Sequence, residues 1–295
     1  MKNKPTLKLT IGIPTYNSSK YLQSCISSVI NLRCLDELII SDDCSEKNEL
    51  EQIKKIVGSF EKKINKEIKV FSNHRNLGAY ENKLNLISNS KNSNIYVLDS
   101  DNIAGSNLDR IIDENTNDFL NDRLLIQPNT MYQFWNYRRM AKISSNFDSR
   151  YIVQFFKRNT SLDIEKIQRY LLLDSGGYDI KNYSSDNRFI KKERAEQLDE
   201  MINKWIFWVL NCGNFVASKE RFLQTSNQGL KIDRKLRSVD AIVFAYYWLS
   251  EGNEIKILKD FYHHHRKRND SVSFVESDNS KIAIEHFINE VLLLN

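Results

Sequence analysis

Residues 7–17 read LKLTIGIPTYN: β-branched and apolar side chains that stop at Pro14 and open into the polar cluster Thr15-Tyr16-Asn17. A short apolar run bounded by turn formers reads as a buried strand. A helical period follows from about Ser18 to Asn31, with Tyr21, Leu22, Cys25, Ile26, Val29 and Ile30 on one face. The same unit then recurs. Leu38 to Ile40 is a strand ending in Ser41-Asp42-Asp43, and 46–60 is helical with the stripe Leu50, Ile53, Ile56 and Val57. Ile68 to Phe71 is a third strand, followed after Gly78 by a helix from about Ala79 to Ser88. Ile95 to Leu98 is a fourth strand closing on Asp99-Ser100-Asp101; 106–120 is helical and Leu124 to Ile126 is a fifth strand. This alternation predicts an α/β fold, a mostly parallel central sheet flanked by helices. Such sheets bind ligands beyond the carboxyl ends of their strands, where the polar clusters fall.

Farther along, 128–211 is polar and aromatic, with helix patterns near 161–173 and 193–210. Order returns with a strand at Phe215 to Ala217, a helix from about Ser238 to Ser250 and a strand at Ile255 to Leu258. A basic, His-rich stretch, HHHRKRND at 263–270, reads as a loop, and 279–294 as an amphipathic helix. No repeat or low-complexity linker divides the chain, which predicts one continuous domain.

Of the 295 residues, 41% are hydrophobic and 27% charged, the balance of a globular protein. No run reaches the ~18 apolar residues of a spanning helix, and MKNKPTLK leads into a strand without an apolar signal region, which predicts a cytoplasmic protein. Cys25, Cys34, Cys44 and Cys212 lack paired spacing, so a zinc site or disulfide framework is not expected. The net charge of +5 is too mild to argue for nucleic acid, but suits anionic substrates.

Two carboxylates separated by one residue in extended chain share a face, and at a strand-to-loop turn Asp99 and Asp101 can reach one divalent cation. Asp42-Asp43 before a helix suits either an N-cap or hydrogen bonds to a base or ribose. The order says more than any member: IGIPTYN, IISDDCS, NLGAYEN and VLDSD, each after a strand, resemble the successive signatures of glycosyltransferase family 2. Asn211-Cys212-Gly213-Asn214-Phe215 resembles the family's acceptor segment, and Arg237-Ser238-Val239-Asp240 its acidic segment, with Val239 replacing the usual Glu.

The resemblance implies a GT-A fold with a mixed acceptor-side half and a C-terminal helix. Residues 1–127 would form the nucleotide-sugar half, 128–262 the acceptor and base half, and 263–295 a closing loop and helix. It implies transfer from a nucleotide-diphospho-sugar to a hydroxyl of a glycan or lipid-linked glycan in bacterial surface polysaccharide synthesis. Pro14, Thr15, Tyr16, Asn17, Asp42, Asp43, Asn76, Gly78, Asn82, Asp99 and Ser100 would line the donor site, with Arg266, Lys267 or Arg268 on the diphosphate. Asp101, Asp99 and His265 would hold Mn²⁺ or Mg²⁺; in other registers His264 is the ligand, or Arg268 takes the position and no histidine serves. Gly213, Asn214 and Trp208 would meet the acceptor, and Asp240 would be the base of an inverting reaction. Tyr132, Phe134, Trp135, Tyr137, Trp205 and Trp208 could stack on sugars, though such aromatics suit a core as well. The terminal stripe Ile282, Ile284, Phe287, Ile288, Val291 and Leu292 suits packing on the body or peripheral membrane contact. Two other readings have handles in the sequence: a nucleotidyltransferase, against which PTYNSSK lacks the glycines of a phosphate loop, and an inactive binding relative, which Val239 keeps open.

Overall fold

The computed structural model describes residues 7–62, 68–134, 152–173, 209–210, 212–266, 282–284, 286–287 and 289–290. Strands β1 (Leu9–Thr15), β2 (Leu35–Asp42), β3 (Ile68–Ser72) and β4 (Asn94–Val97) alternate with helices α1 (Ser19–Val29), α2 (Lys47–Glu61) and α3 (Ala79–Ser88). Then come β5 (Ile103–Ala104), α4 (Leu108–Glu114), α5 (Thr116–Leu120), β6 (Leu124–Phe134), β7 (Ile152–Gln154), β8 (Thr160–Leu162) and α6 (Ile164–Leu173). The C-terminal half adds β9 (Phe215–Ser218), α7 (Lys219–Ser226), α8 (Asp240–Ser250) and β10 (Glu254–Arg266).

These strands make one ten-stranded sheet in the order β3-β2-β1-β4-β9-β6-β10-β5, with β7 on β6 and β8 on β10. It is parallel from β3 to β4. At β9 it turns antiparallel, and β6 and β10 form a further parallel pair. Both faces are covered. Leu9, Ile11 and Ile13 join Tyr96 and Leu98 under α1 and α4. Ile39, Ile95 and Val97 pack on the opposite side with Leu84, Phe222, Phe244 and Trp248 from α3, α7 and α8. Two-sided burial is why these strands read as continuous apolar runs.

Three expectations change in detail. The helix expected over 106–120 breaks at Asn115, where Asn115 Nδ2 donates to the Ile111 carbonyl and Thr116 Oγ1 to that of Ile112. Side chains that bond the backbone in this way compete with helix continuation. The fifth strand runs eight residues beyond Ile126, through Pro128, because β10 shifts register between Leu258 and Tyr262 opposite it. Proline is tolerated at such irregularities, and buried Asn129 fills this one, donating to the Phe156 and Lys259 carbonyls and accepting from the Phe156 N–H. Finally, His263–Arg266 is strand rather than loop, paired in parallel register with Met131–Phe134. Its polarity hid a β-ladder that backbone pairing supplies.

The described parts of 282–290 are helical, and Ala283, Ile284 and Phe287 are buried. Phe287 lies 5.3 Å from the Tyr246 ring on α8. The stripe that offered a membrane face is thus packed on the body at these positions, whereas Ile282 is exposed. Among the described residues, no helix is long and apolar enough to cross a membrane.

Candidate active site

The loops after β1, β2 and β3 are stitched together by their own backbone. Asp43 N–H donates to Thr15 O, and Asn73 N–H to Asp42 O, both at 2.9 Å. Asn17, in left-handed conformation (φ 46°), donates its N–H to Ser45 Oγ and accepts Glu46 N–H on Oδ1. Asp42 is fully buried and accepts Ser45 N–H at 3.2 Å. Asp43, 3% exposed, accepts Asn73 Nδ2 and Leu77 N–H on Oδ1 and Gly78 N–H on Oδ2. It thereby shapes the NLG turn, which enters α3 with Gly78 at φ +88°, a conformation glycine adopts without strain. Asn82, also buried, accepts from Ser41 Oγ and Asn73 Nδ2 and donates to Ser41 O. Asn76 accepts Arg234 Nη2. Pro14 and Thr15 are buried in β1, while Tyr16, at 46%, is the exposed member of its cluster. Much of the expected donor set is therefore a frame beneath the surface, with Tyr16 and Asn17 at its rim.

β4 ends at Val97, and Asn102 N–H donates to Asp99 O at 2.9 Å. Asp99, buried Ser100 and Asp101 are thus carried by a turn, not by extended chain, so alternation along a strand does not set their directions. The turn is braced from below. Asp99 N–H donates to Asn214 Oδ1 at 2.9 Å. Arg266 donates from Nε to Asp101 O and from its backbone N–H to Asn102 Oδ1, with its guanidinium 4.6 Å from the Tyr21 ring centre. Buried Cys25 lies behind the turn, and its thiol is raised by burial first and then by the charges of Asp101 and Asp99.

Lys83, on α3, joins this turn to the base candidate. Its Nζ is 2.9 Å from Asp99 Oδ1 and 2.7 Å from Asp240 Oδ2, with the lysine side chain 5% exposed, Asp99 31% and Asp240 17%. Burial alone would lower this ammonium, but the two carboxylates outweigh it and hold its pKa above the ordinary lysine value. Asp240 opens α8, where the helix dipole favours a carboxylate. Gly213 completes the close packing: a Cβ there would stand 2.5 Å from Asp99 Oδ2 and 3.3 Å from Lys83 Nζ.

The structure thus brings Asp99, Lys83, Asp240 and Gly213 into contact, with Asp101 on the same turn and Arg266, at the end of β10, bonded to it. Asn214 is buried, and its Oδ1 accepts the Asp99 N–H. Val239 is buried in the core, so this position offers apolar packing where the family pattern has a carboxylate. His263 is buried and kept neutral, chiefly by burial, with its ring 5.8 Å from that of His265. Tyr132 stands edge-on to Tyr262. Lys267, Arg268, Trp135, Tyr137, Trp205, Trp208 and the Phe134 side chain lie outside the described residues. Lys83 is the residue that sequence reading missed. Its signal was position: Tyr80, Lys83, Leu84 and Ile87 recur at helical spacing, and all four are buried.

Among the described residues, no three His, Cys, Asp or Glu side chains are grouped to hold a metal. Asp99 and Asp101 still fit a hard divalent ion by donor type. Mg²⁺-like ions bind through one or two carboxylates plus substrate phosphate oxygens.

The profile of glycosyl transferase family 2 matches residues 10–198. Among solved structures, S. aureus TarS residues 1–349 in complex with UDP-GlcNAc is 17% identical, with a TM-score of 0.57 over 92% of this chain and 61% of that one. GalNAc-T7 with UDP, GalNAc and Mn²⁺ is 16% identical, with a TM-score of 0.53 over 90% of this chain and 44% of that one. At these identities the likeness shows the fold, and the chain spans about three-fifths of the TarS fragment. No curated protein matches in sequence.

Proposed function

Since the chain belongs to glycosyl transferase family 2, we propose that it transfers a sugar from a nucleotide-diphospho-sugar to an acceptor hydroxyl with inversion. The observation that carries this reading is the Asp99–Lys83–Asp240 chain, which holds the acid turn after β4 against a carboxylate at the start of α8.

In the reaction, Asp240 takes the proton of the acceptor hydroxyl as that oxygen bonds to the anomeric carbon. The bond from that carbon to the diphosphate oxygen breaks, and the nucleoside diphosphate leaves with the electron pair. General-base help of this kind is worth roughly 10²–10⁴-fold. Lys83 holds Asp240 Oδ2, which leaves Oδ1 to face the acceptor. Asp101 and Asp99 would hold Mn²⁺ or Mg²⁺, which supplies positive charge to the departing diphosphate; GalNAc-T7 with Mn²⁺ and UDP supports the choice. Asp43 Oδ2, which accepts one hydrogen bond among the described residues, would also accept from the nucleobase, with Tyr16 at the rim to pack on it. His265, next to Arg266 on β10, would be the third ligand. The acceptor we assign is a glycan or lipid-linked glycan of bacterial surface polysaccharide, a setting drawn from the family resemblance.

The test is thermal-shift screening against nucleotide sugars with Mn²⁺ or Mg²⁺, followed by a transfer assay with the stabilising donor. A metal-dependent rise in Tm for one donor class is expected. No rise with any donor, with or without metal, would remove the reading. A rise without turnover would favour an inactive binding relative.

A further inference from the structure

We propose that Arg237 and Glu81 form a positioning latch that sets the base Asp240 against the acid turn, an inference that rests on the base role given above. The 3₁₀ turn Arg234–Val239 leads directly into α8, so its placement dictates where the first residue of α8 stands. Two contacts fasten that turn to the start of α3. Arg237 Nη1 lies 2.6 Å from Glu81 Oε1, with side chains 11% and 26% exposed. Arg234 Nη2 donates to Asn76 O at 2.9 Å and to Asn76 Oδ1 at 3.2 Å.

Glu81 and Lys83 sit two residues apart on α3, and Arg237 and Asp240 three apart across the turn. The charge order is complementary: acid to base at 81 and 237, base to acid at 83 and 240. The latch also reaches the donor frame. Asn76 belongs to the turn whose next two N–H groups Asp43 holds. One rigid path therefore runs from the expected nucleobase pocket to the base.

A charge pair nearly out of water couples more strongly than an exposed one. Arg237 and Glu81 touch no reacting atom in this scheme; they act through the position of Asp240. Displacement of a reacting group by about 1 Å costs about 100-fold.

The experiment compares wild type with Arg237→Gln, Glu81→Gln, Arg237→Lys and the exchange Glu81→Arg/Arg237→Glu. It reads kcat, the donor-induced Tm rise and hydrogen exchange over 234–245. The two Gln variants should lose about 100-fold in kcat, keep the donor-induced Tm rise and exchange faster over 234–245. Arg237→Lys should keep most of the rate, and the charge exchange should recover it. An exchange variant as stable as wild type but still slow would overturn the latch, as would Gln variants with unchanged kcat and unchanged hydrogen exchange. If wild type transfers no sugar from any donor, the functional reading fails by itself, and the exchange pattern still decides whether the latch exists.

Discussion

Lys83 is the residue on which the site turns, because one buried ammonium serves two carboxylates. Removing one partner of a buried ion pair leaves the others uncompensated. Lys83→Met should therefore lose both transfer and donor-induced stabilisation, read by initial rates and thermal shift. Asp240→Asn should separate the two: transfer falls by roughly 10²–10⁴-fold, while the donor still raises Tm. Gly213→Ala tests the close approach. Its Cβ would meet Asp99 Oδ2 at 2.5 Å, so the acid must move; kcat should fall with little change in Tm. Asp99 and Asp101 were legible in the sequence because they follow an apolar strand, and Asp240 through the resemblance of segment 237–240 to a family signature. Lys83 was not, since a lysine within a helical stripe reads as a surface residue whose stem lies along the apolar face. Only the arrival of Asp99 and Asp240 from distant parts of the chain makes its burial favourable.

At the scale of elements, the N-terminal ladder carries its own electrostatic tie. Glu37 on β2 accepts Thr10 Oγ1, Lys69 Nζ and Lys91 N–H, each at 2.7 Å. Burial raises its pKa, but the hydrogen bonds from Lys69, Lys91 and Thr10 outweigh burial and hold it below the ordinary glutamate value. A depressed carboxylate contributes stability above its unfolded pKa of about 4.3 and loses it as pH falls through the folded value. Glu37→Gln should thus be less stable than wild type at neutral pH, and the gap should narrow on acidification in urea melts. The four strand-helix units behind this edge were readable because period and turn residues agree there. β10 was readable only to Leu258. The tract beyond it is polar, and its strand character comes from pairing with β6, which is set by a neighbour more than a hundred residues away in the chain.

For the whole molecule, the C-terminal helix and the sheet form one packed unit through Phe287, Tyr246 and Tyr247. Phe287→Ala should cost about 3–5 kcal/mol, the range for deleting a buried phenylalanine, and should lower Tm without altering liposome flotation. A change in flotation with unchanged Tm would return this stripe to a membrane role. The local pattern of apolar runs and polar stops was enough to determine a strand-helix alternation and the end of the sheet where its acids gather, because both depend on neighbours a few residues apart. Tertiary structure alone decided that the sheet reverses direction at β9, that the acid pair rides a turn, and that Lys83 and Arg237 bind α8 to α3. Those outcomes depend on charges and backbone edges contributed by remote segments, whose meeting no local period encodes.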